Sequence, residues 1–288
     1  LRQLRSFHTR SEDYSVAHID DKADEQREQR RGNVMARRHL ITGAASGMGK
    51  ATVERLRAAG DEVIGVDLRD AEIEADLSTA EGRAHMIEEA KRLSGGVLDS
   101  VLAGAGISNW ERPRETVAIN FFGAVATLEG LRPLLAKSQR PRAVGICSTS
   151  LMLPGNAGVV EALLAGKEAE AKDLAAAEPA TTYFDTKRAL AQWIRRTAQR
   201  PEWGGAGILL NGVGPGVIET PMTKPLFSQP EMVEAMSKSN PMAVKGYASG
   251  EEVAELLDFL LNFENHYLLG QIIFIDGGTD TILRPDLV

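Results

Sequence analysis

Tyr183 and Lys187 stand four residues apart in TTYFDTKRALAQWIRR, residues 181–196, a stretch with helical periodicity. One helical turn then brings a phenol and an ammonium onto the same face. A phenol with an ordinary pKa of about 10 is a poor base at neutral pH, and a nearby positive charge favours its phenolate. Such a pair can take a proton from a substrate oxygen or return it. The chain has four tyrosines, and only Tyr183 has a lysine four residues on; His18, Glu251 and Gln271 follow the other three. A serine to hold the substrate oxygen would complete the set. Thirteen residues upstream stands Glu170, inside a run of alanines and charges, so the hydroxyl has to come from elsewhere.

A second chemistry-bearing stretch is TGAASGMGKA, residues 42–51. Gly43, Gly47 and Gly49 let a backbone approach a pyrophosphate, and the helix that follows offers free N–H groups and a positive dipole end. Asp67 closes the next strand 18 residues after Gly49, where a carboxylate accepts hydrogen bonds from ribose hydroxyls. It would repel the 2′-phosphate of NADP. The glycine loop carries Ser46 rather than a basic residue, and Leu68 follows Asp67. This favours NAD over NADP, with Arg37 and Arg69 as the residues that could still reach a phosphate. Asp76, in ADL (75–77), is placed for the adenine amino group.

These groups need elements to position them. Apolar strand candidates occur at 38–42, 61–67, 98–106, 142–148, 207–216 and 271–278, alternating with segments of helical period. One helix places Val53, Leu56 and Ala59 on a common face and ends at Gly60. The alternation predicts an α/β fold, a Rossmann-type doubly wound parallel sheet of about seven strands flanked by helices, as a single domain over residues 35–288. Residues 159–177 are rich in Ala, Leu, Glu and Lys, which predicts a helical insertion between the fifth strand and the Tyr183 helix. Residues 1–34 hold seven basic and seven acidic side chains and few large apolar ones, the composition of a disordered extension.

The 288 residues carry a net charge of −7, which gives no support for a nucleic-acid or anionic-membrane partner. The five histidines have no ligand spacing, so no metal is expected. No apolar run is long enough for a transmembrane helix. A single cysteine, Cys147, fits a reducing cytoplasm.

The glycine loop, Asp67, AGAG (103–106), Asn120, the Tyr183/Lys187 pair and GPG (214–216) occur in the order found in short-chain dehydrogenases/reductases, and residues 37–288 resemble that family. GVDLRDAEIEADLSTAEGR (65–83), INFFGA (119–124) and IDGGTDTILRP (275–285) resemble its bacterial hydroxysteroid dehydrogenase/carbonyl reductase branch. Ala103 and Gly104 replace the two asparagines common in the family, which removes one strand-bracing hydrogen bond.

The resemblance implies an NAD(P)-dependent oxidoreductase that interconverts a secondary alcohol and a ketone, with Asn120, Ser148, Tyr183 and Lys187 as catalytic residues. Ser148 ends AVGICSTSL (143–151), and Ser150 is the alternative on the same strand face. Asn120 would anchor a water in a proton relay to Lys187. Met48, Leu77, Ala103, Gly104, Ala105, Pro215, Gly216, Val217 and Thr220 would join Gly43, Ser46, Gly47, Gly49, Asp67 and Asp76 around the cofactor, with Tyr183 and Lys187 beside the nicotinamide ribose. Residues 223–243 would form a flap, and its Leu226, Phe227, Met232 and Met236, with Met222 just before it, suit a bulky apolar substrate or pack as an ordinary amphipathic helix. Oxidation of an aryl or allylic alcohol, or a catalytically silent dinucleotide-binding regulator, are the competing functions. The assembly implied is a homodimer or homotetramer.

Overall fold

The computed structural model describes residues 36–287. The expectation for residues 1–34 lies outside the described residues.

β1 (Arg38–Thr42), β2 (Glu62–Asp67), β3 (Ile73–Glu74), β4 (Ser100–Ala103), β5 (Arg142–Ile146) and β6 (Leu209–Pro215) lie in one sheet. Two short strands, β7 (Ile218–Glu219) and β8 (Ala248–Ser249), pair separately, and β9 (Ile272–Ile275) ends the large sheet. The order β3-β2-β1-β4-β5-β6-β9 is parallel at every pairing. β4, β5 and β6 are buried at every residue, because helices cover both faces of the sheet. β3 is a two-residue edge strand, too short to leave a period in the sequence.

α1 (Gly47–Ala58) and α10 (Gly250–Asn262) cover one face through Val53, Leu56, Val253, Leu257 and Leu261. Ala59 is exposed rather than on that apolar face, since α1 stops at Ala58 and the chain turns through Gly60 at φ 95°. Ser249 and Glu252 close a reciprocal capping box at the start of α10. On the other face lie α2 (Ala80–Leu93), α3 (Pro113–Val117) and α4 (Ala124–Leu135), the last two joined by a π-helical turn at Ala118–Gly123.

The interval before the Tyr183 helix holds α5 (Ala157–Leu164) and α6 (Glu168–Ala177), followed by α7 (Thr182–Ala198). Val159, Leu163, Ala171 and Ala175 belong to the same buried cluster as Leu128 and Ile194. Ion pairs hold α6 to the body, Glu168 meeting Arg83 at 2.8 Å and Asp173 meeting Arg114 at 2.6 Å, while Lys172 of the same helix meets Glu168 at 2.7 Å. Burial pushes the Glu168 carboxyl up, but hydrogen bonds from Lys172 and Arg83 outweigh it and leave it below its ordinary value. After β7 come α8 (Lys224–Phe227) and α9 (Pro230–Ser239), and α11 (Thr279–Leu283) closes the chain.

Because Leu163 is only 1% exposed within the main core, Leu163→Ala should lower the unfolding free energy by about 3 kcal/mol in one cooperative denaturant transition. A separate early transition, with the main one unmoved, would show that α5 and α6 are merely appended.

Candidate active site

Strand order reverses between β1 and β4, and the two chains leaving their carboxyl ends diverge to open a crevice. Gly43 turns the chain at φ 76° and donates its N–H to Val66 O at 2.9 Å. A Cβ on Gly49 would sit 2.0 Å from Gly43 O, so no side chain fits there. Ser46 caps α1 in extended conformation with its hydroxyl uncommitted, and the first turn holds no acidic residue. The N–H groups and positive end of α1 are therefore free for an anion.

Asp67 holds this turn in place, accepting from Ala45 N at 2.9 Å and from Leu68 N at 2.7 Å. Thr42, not foreseen as a site residue, braces the opposite wall. Its Oγ1 accepts from Gly104 N at 3.0 Å and Ala105 N at 3.1 Å. A bond between the ends of β1 and β4 thus exists without the asparagines, supplied from the β1 side. The signal available in the sequence was a hydroxyl residue directly before the glycine loop.

Gly43, Ser46, Gly47, Met48, Gly49, Asp67, Asp76, Leu77, Gly104, Ala105 and Thr220 line a cleft of about 290 Å³, with Ile107, Pro221 and Met222 as further walls. Among the described residues no arginine or lysine lines it. The Asp76 carboxylate also accepts from Ser78 N at 2.9 Å. Ala103 is not on the cleft wall; it ends β4 inside the buried core, one residue below Gly104. Val217 lines neither this cleft nor its neighbour. Arg37 is far from a phosphate role, since its guanidinium donates to the carbonyls of Asp99, Arg140 and Leu261 at the other end of the strands.

A smaller cavity of about 80 Å³ shares Met48, Gly104, Gly106, Ile146, Thr220 and Met222 with the cleft. Ser148, Tyr183 and Lys187 line it together with Pro215 and Gly216. Ser150 does not. The chain leaves β5 through a 3₁₀ turn over Thr149–Met152, so strand alternation no longer governs the two serines. Ser150 N donates to Ser148 Oγ at 3.1 Å, and the buried Ser150 Oγ has no partner among the described residues.

Of the flap side chains, Met222 reaches both cavities, whereas Phe227, Met232 and Met236 reach neither. Phe227 packs against Tyr247 at 4.8 Å between ring centroids. Leu226 lies outside the residues whose side chains are described.

Asn120 sits in the π turn, fully buried behind the wall. Its Oδ1 accepts from Ile107 N at 2.8 Å, and its Nδ2 donates to Ile107 O at 2.9 Å and Thr186 Oγ1 at 3.4 Å. Lys187 Nζ donates to Ile146 O at 2.8 Å and lies 5.8 Å from the Tyr183 ring centre. Burial pushes the Tyr183 phenol above its ordinary value, with the Ser148 hydroxyl opposing. Burial also pulls the Lys187 ammonium down to about 8. The lowered phenol expected from the sequence is therefore not built into the protein alone, because desolvation outweighs the hydrogen bond with Ser148. Burial likewise pushes the Cys147 thiol up to about 12, against the nearby Lys187 charge.

A doubly wound parallel sheet with a glycine turn and a Ser-Tyr-Lys cluster defines a class of dinucleotide-dependent oxidoreductases. Residues 37–160 match the family described as short chain dehydrogenase, and residues 171–280 match that described as Enoyl-(Acyl carrier protein) reductase. The 3-alpha-hydroxysteroid dehydrogenase/carbonyl reductase of Comamonas testosteroni is 35% identical over 254 residues, covering 85% of this chain and 97% of that protein. The crystal structure of the 3-alpha-hydroxysteroid dehydrogenase from Pseudomonas sp. B-0831 complexed with NADH matches at TM-score 0.82 and 37% identity, over 87% of this chain and all of that one. The 2-(R)-hydroxypropyl-CoM dehydrogenase of Xanthobacter autotrophicus is 28% identical over 257 residues, 86% of this chain and 100% of the relative. The chain belongs to the short-chain dehydrogenase/reductase family, and it is an NAD(P)-dependent oxidoreductase. Among the described residues no helix is long and apolar enough to cross a membrane, and no cluster of His, Cys, Asp and Glu could hold a metal.

Two outcomes follow from these contacts. Thr42→Val should leave two N–H groups without their acceptor, lowering stability by about 2 kcal/mol and weakening NADH binding measured by fluorescence; Thr42→Ser should restore both. Lys187 keeps its proton to an ordinary value of 10.5 when unfolded but only to about 8 in the fold. Between these values the unfolded state binds more protons, so this lysine makes stability rise with pH. Cys147 acts oppositely, since its folded value of about 12 exceeds the ordinary 9.0 and the native state then holds more protons. Lys187→Met should therefore gain most over wild type below pH 8 and lose that gain as pH approaches 10. Denaturant titrations that show a pH-independent difference between the two proteins would contradict the buried ammonium.

Proposed function

We propose that this protein interconverts a secondary alcohol and a ketone with NAD, as a hydroxysteroid dehydrogenase/carbonyl reductase acting on a bulky apolar substrate. The observation that carries the reading is the shared cavity of Ser148, Tyr183 and Lys187, which opens off the glycine cleft. The cleft suits a dinucleotide: Gly49 leaves no room for a side chain, and the α1 N-terminus has no competing acid. Residues 43–49 would hold the pyrophosphate, Asp67 the ribose hydroxyls, Asp76 and Leu77 the adenine, and Pro215, Gly216 and Thr220 the nicotinamide end. When bound, the nicotinamide supplies the hydride acceptor or donor.

The chain's own residues do the rest. In oxidation Tyr183 Oη takes the alcohol proton, and in reduction it returns one to the carbonyl oxygen. Ser148 Oγ donates to the same oxygen and fixes it opposite Tyr183. Lys187 holds the nicotinamide ribose and contributes positive charge beside the phenol. Asn120 holds the Ile107 backbone with both amide atoms, and its Nδ2 also donates to Thr186, the neighbour of Lys187 on α7.

NAD preference is supported by Asp67, by the lack of a basic residue on the cleft wall, and by the commitment of Arg37 elsewhere. The similar Pseudomonas enzyme was crystallised with NADH. A hydrophobic substrate is supported by Ile218 and Met222 on the small cavity and by the likeness to hydroxysteroid dehydrogenases.

A panel of steroid, aryl, allylic and aliphatic alcohols with NAD and NADP tests the reading. Tyr183→Phe should lower kcat by about 1,000-fold while NADH binding persists. Alcohol oxidation should rise with pH and ketone reduction fall, because oxidation needs the phenolate and reduction the phenol. NADH binding without turnover of any panel member would favour the silent regulator, and faster reaction with NADP would overturn the role given to Asp67.

A further inference from the structure

The helix that carries Tyr183 and Lys187 bears a second polar stripe. Asp185 lies two residues from each, which on a helix points it to the opposite side. Thr181 and Arg188, four residues before and three after, share its face. None of the three belongs to the cleft or the small cavity. Asp185 is nonetheless fully buried.

Its two carboxylate oxygens have separate partners. Oδ1 accepts from Asn156 N at 2.9 Å, and Oδ2 accepts from Thr181 Oγ1 at 2.8 Å. Asn156 in turn caps α5, accepting from Gly158 N at 2.9 Å, and donates to Glu178 Oε2 at 2.7 Å. Arg188 reaches the same stretch of chain, donating to Leu151 O at 2.9 Å and also to Leu153 O. A Cβ on Gly155 would lie 2.0 Å from Asp185 Oδ1, so the carboxylate sits directly on the Gly155 backbone.

The chain pinned in this way, residues 149–156, begins immediately after Ser148. Leu151 N donates to Ser148 O at 3.2 Å, and Ser150 N to Ser148 Oγ. One face of α7 thus presents Tyr183 and Lys187, while the other holds the segment that delivers the serine. We propose that Asp185 is a positioning residue, which with Arg188 sets the placement of Ser148 against Tyr183. This rests on the reading of Ser148, Tyr183 and Lys187 given above. Burial pushes the Asp185 carboxyl up, against the bonds from Thr181 and Asn156 and the charge of Arg188, while Glu178 adds to the rise. A neutral amide is therefore tolerated there, and it can accept from Asn156 N and donate to Thr181 Oγ1.

The test compares wild type, Asp185→Asn, Asp185→Ala and Gly155→Ala, the last displacing the carboxylate from the other side. It reads kcat, KM, the deuterium isotope effect at the carbinol carbon, NADH affinity, and amide exchange of residues 149–156. Asp185→Ala and Gly155→Ala should lose about 30-fold in kcat, with a larger isotope effect, unchanged NADH affinity and faster exchange of that segment. Asp185→Asn should stay within about threefold of wild type. Met86→Ala, a core variant on α2, serves as the destabilised control and should leave the isotope effect unmoved.

An Asp185→Ala enzyme with wild-type kcat and isotope effect would overturn the proposal. So would equal damage from Asp185→Asn, or unchanged exchange of 149–156 in an active enzyme. A wild type that binds NADH but oxidises no alcohol would sink the reading of the site instead.

Discussion

The two hydrogen bonds that Thr42 accepts from Gly104 N and Ala105 N bridge the point where the strand order reverses. A parallel sheet must part its chains there, and the parted backbones lose their ladder partners. One hydroxyl supplies the missing acceptor. From it a chain of contacts runs into the catalytic half: the backbone continues from Ala105 to Ile107, Ile107 exchanges two bonds with Asn120, Asn120 meets Thr186, and Thr186 donates to Tyr183 O at 2.8 Å. The glycine turn and the Tyr183 helix are thus positioned against a common piece of backbone.

Much of this was legible because it depends on period and spacing. Buried parallel strands read as apolar runs, and the glycine turn must follow a strand and open a helix. Tyr183 and Lys187 are paired by helix geometry alone. What failed to show was set by local chain direction. Ser148 and Ser150 share a face only in a strand, and the 3₁₀ turn separates them. Asp185 was inside the stretch first singled out, yet its role depends on the backbone at 155–156, which only the folded chain brings beside it. Thr42 accepts from backbone N–H groups 62 and 63 residues away, and such a bond crosses between strands far apart in sequence.

Two helices, α5 and α6, fill the connection between Ser148 and Tyr183. Tyr183 stands thirty-five positions after Ser148. A slack connection of that length would let the serine wander, because loop-closure entropy grows only slowly with length. Here the interval is spent on α5 and α6, packed into the main core, and its start is tied to α7 by Asp185 and Arg188. On the role proposed for Asp185, precision at the site would come from those ties rather than from a short path.

Burial displaces Tyr183 and Lys187 in opposite directions, the phenol upward and the ammonium down to about 8. Both shifts oppose the charged pair that the proposed proton transfer would use. Among the described residues the ammonium has one acceptor, Ile146 O, leaving two of its three N–H donors uncommitted. A ligand that presents hydroxyl oxygens to those donors would favour the protonated lysine and raise its proton affinity. In the same act it would secure a full positive charge beside the phenol. The charge state that catalysis needs is then assembled on binding, and the apolar walls that make it costly beforehand are those that strengthen it once formed.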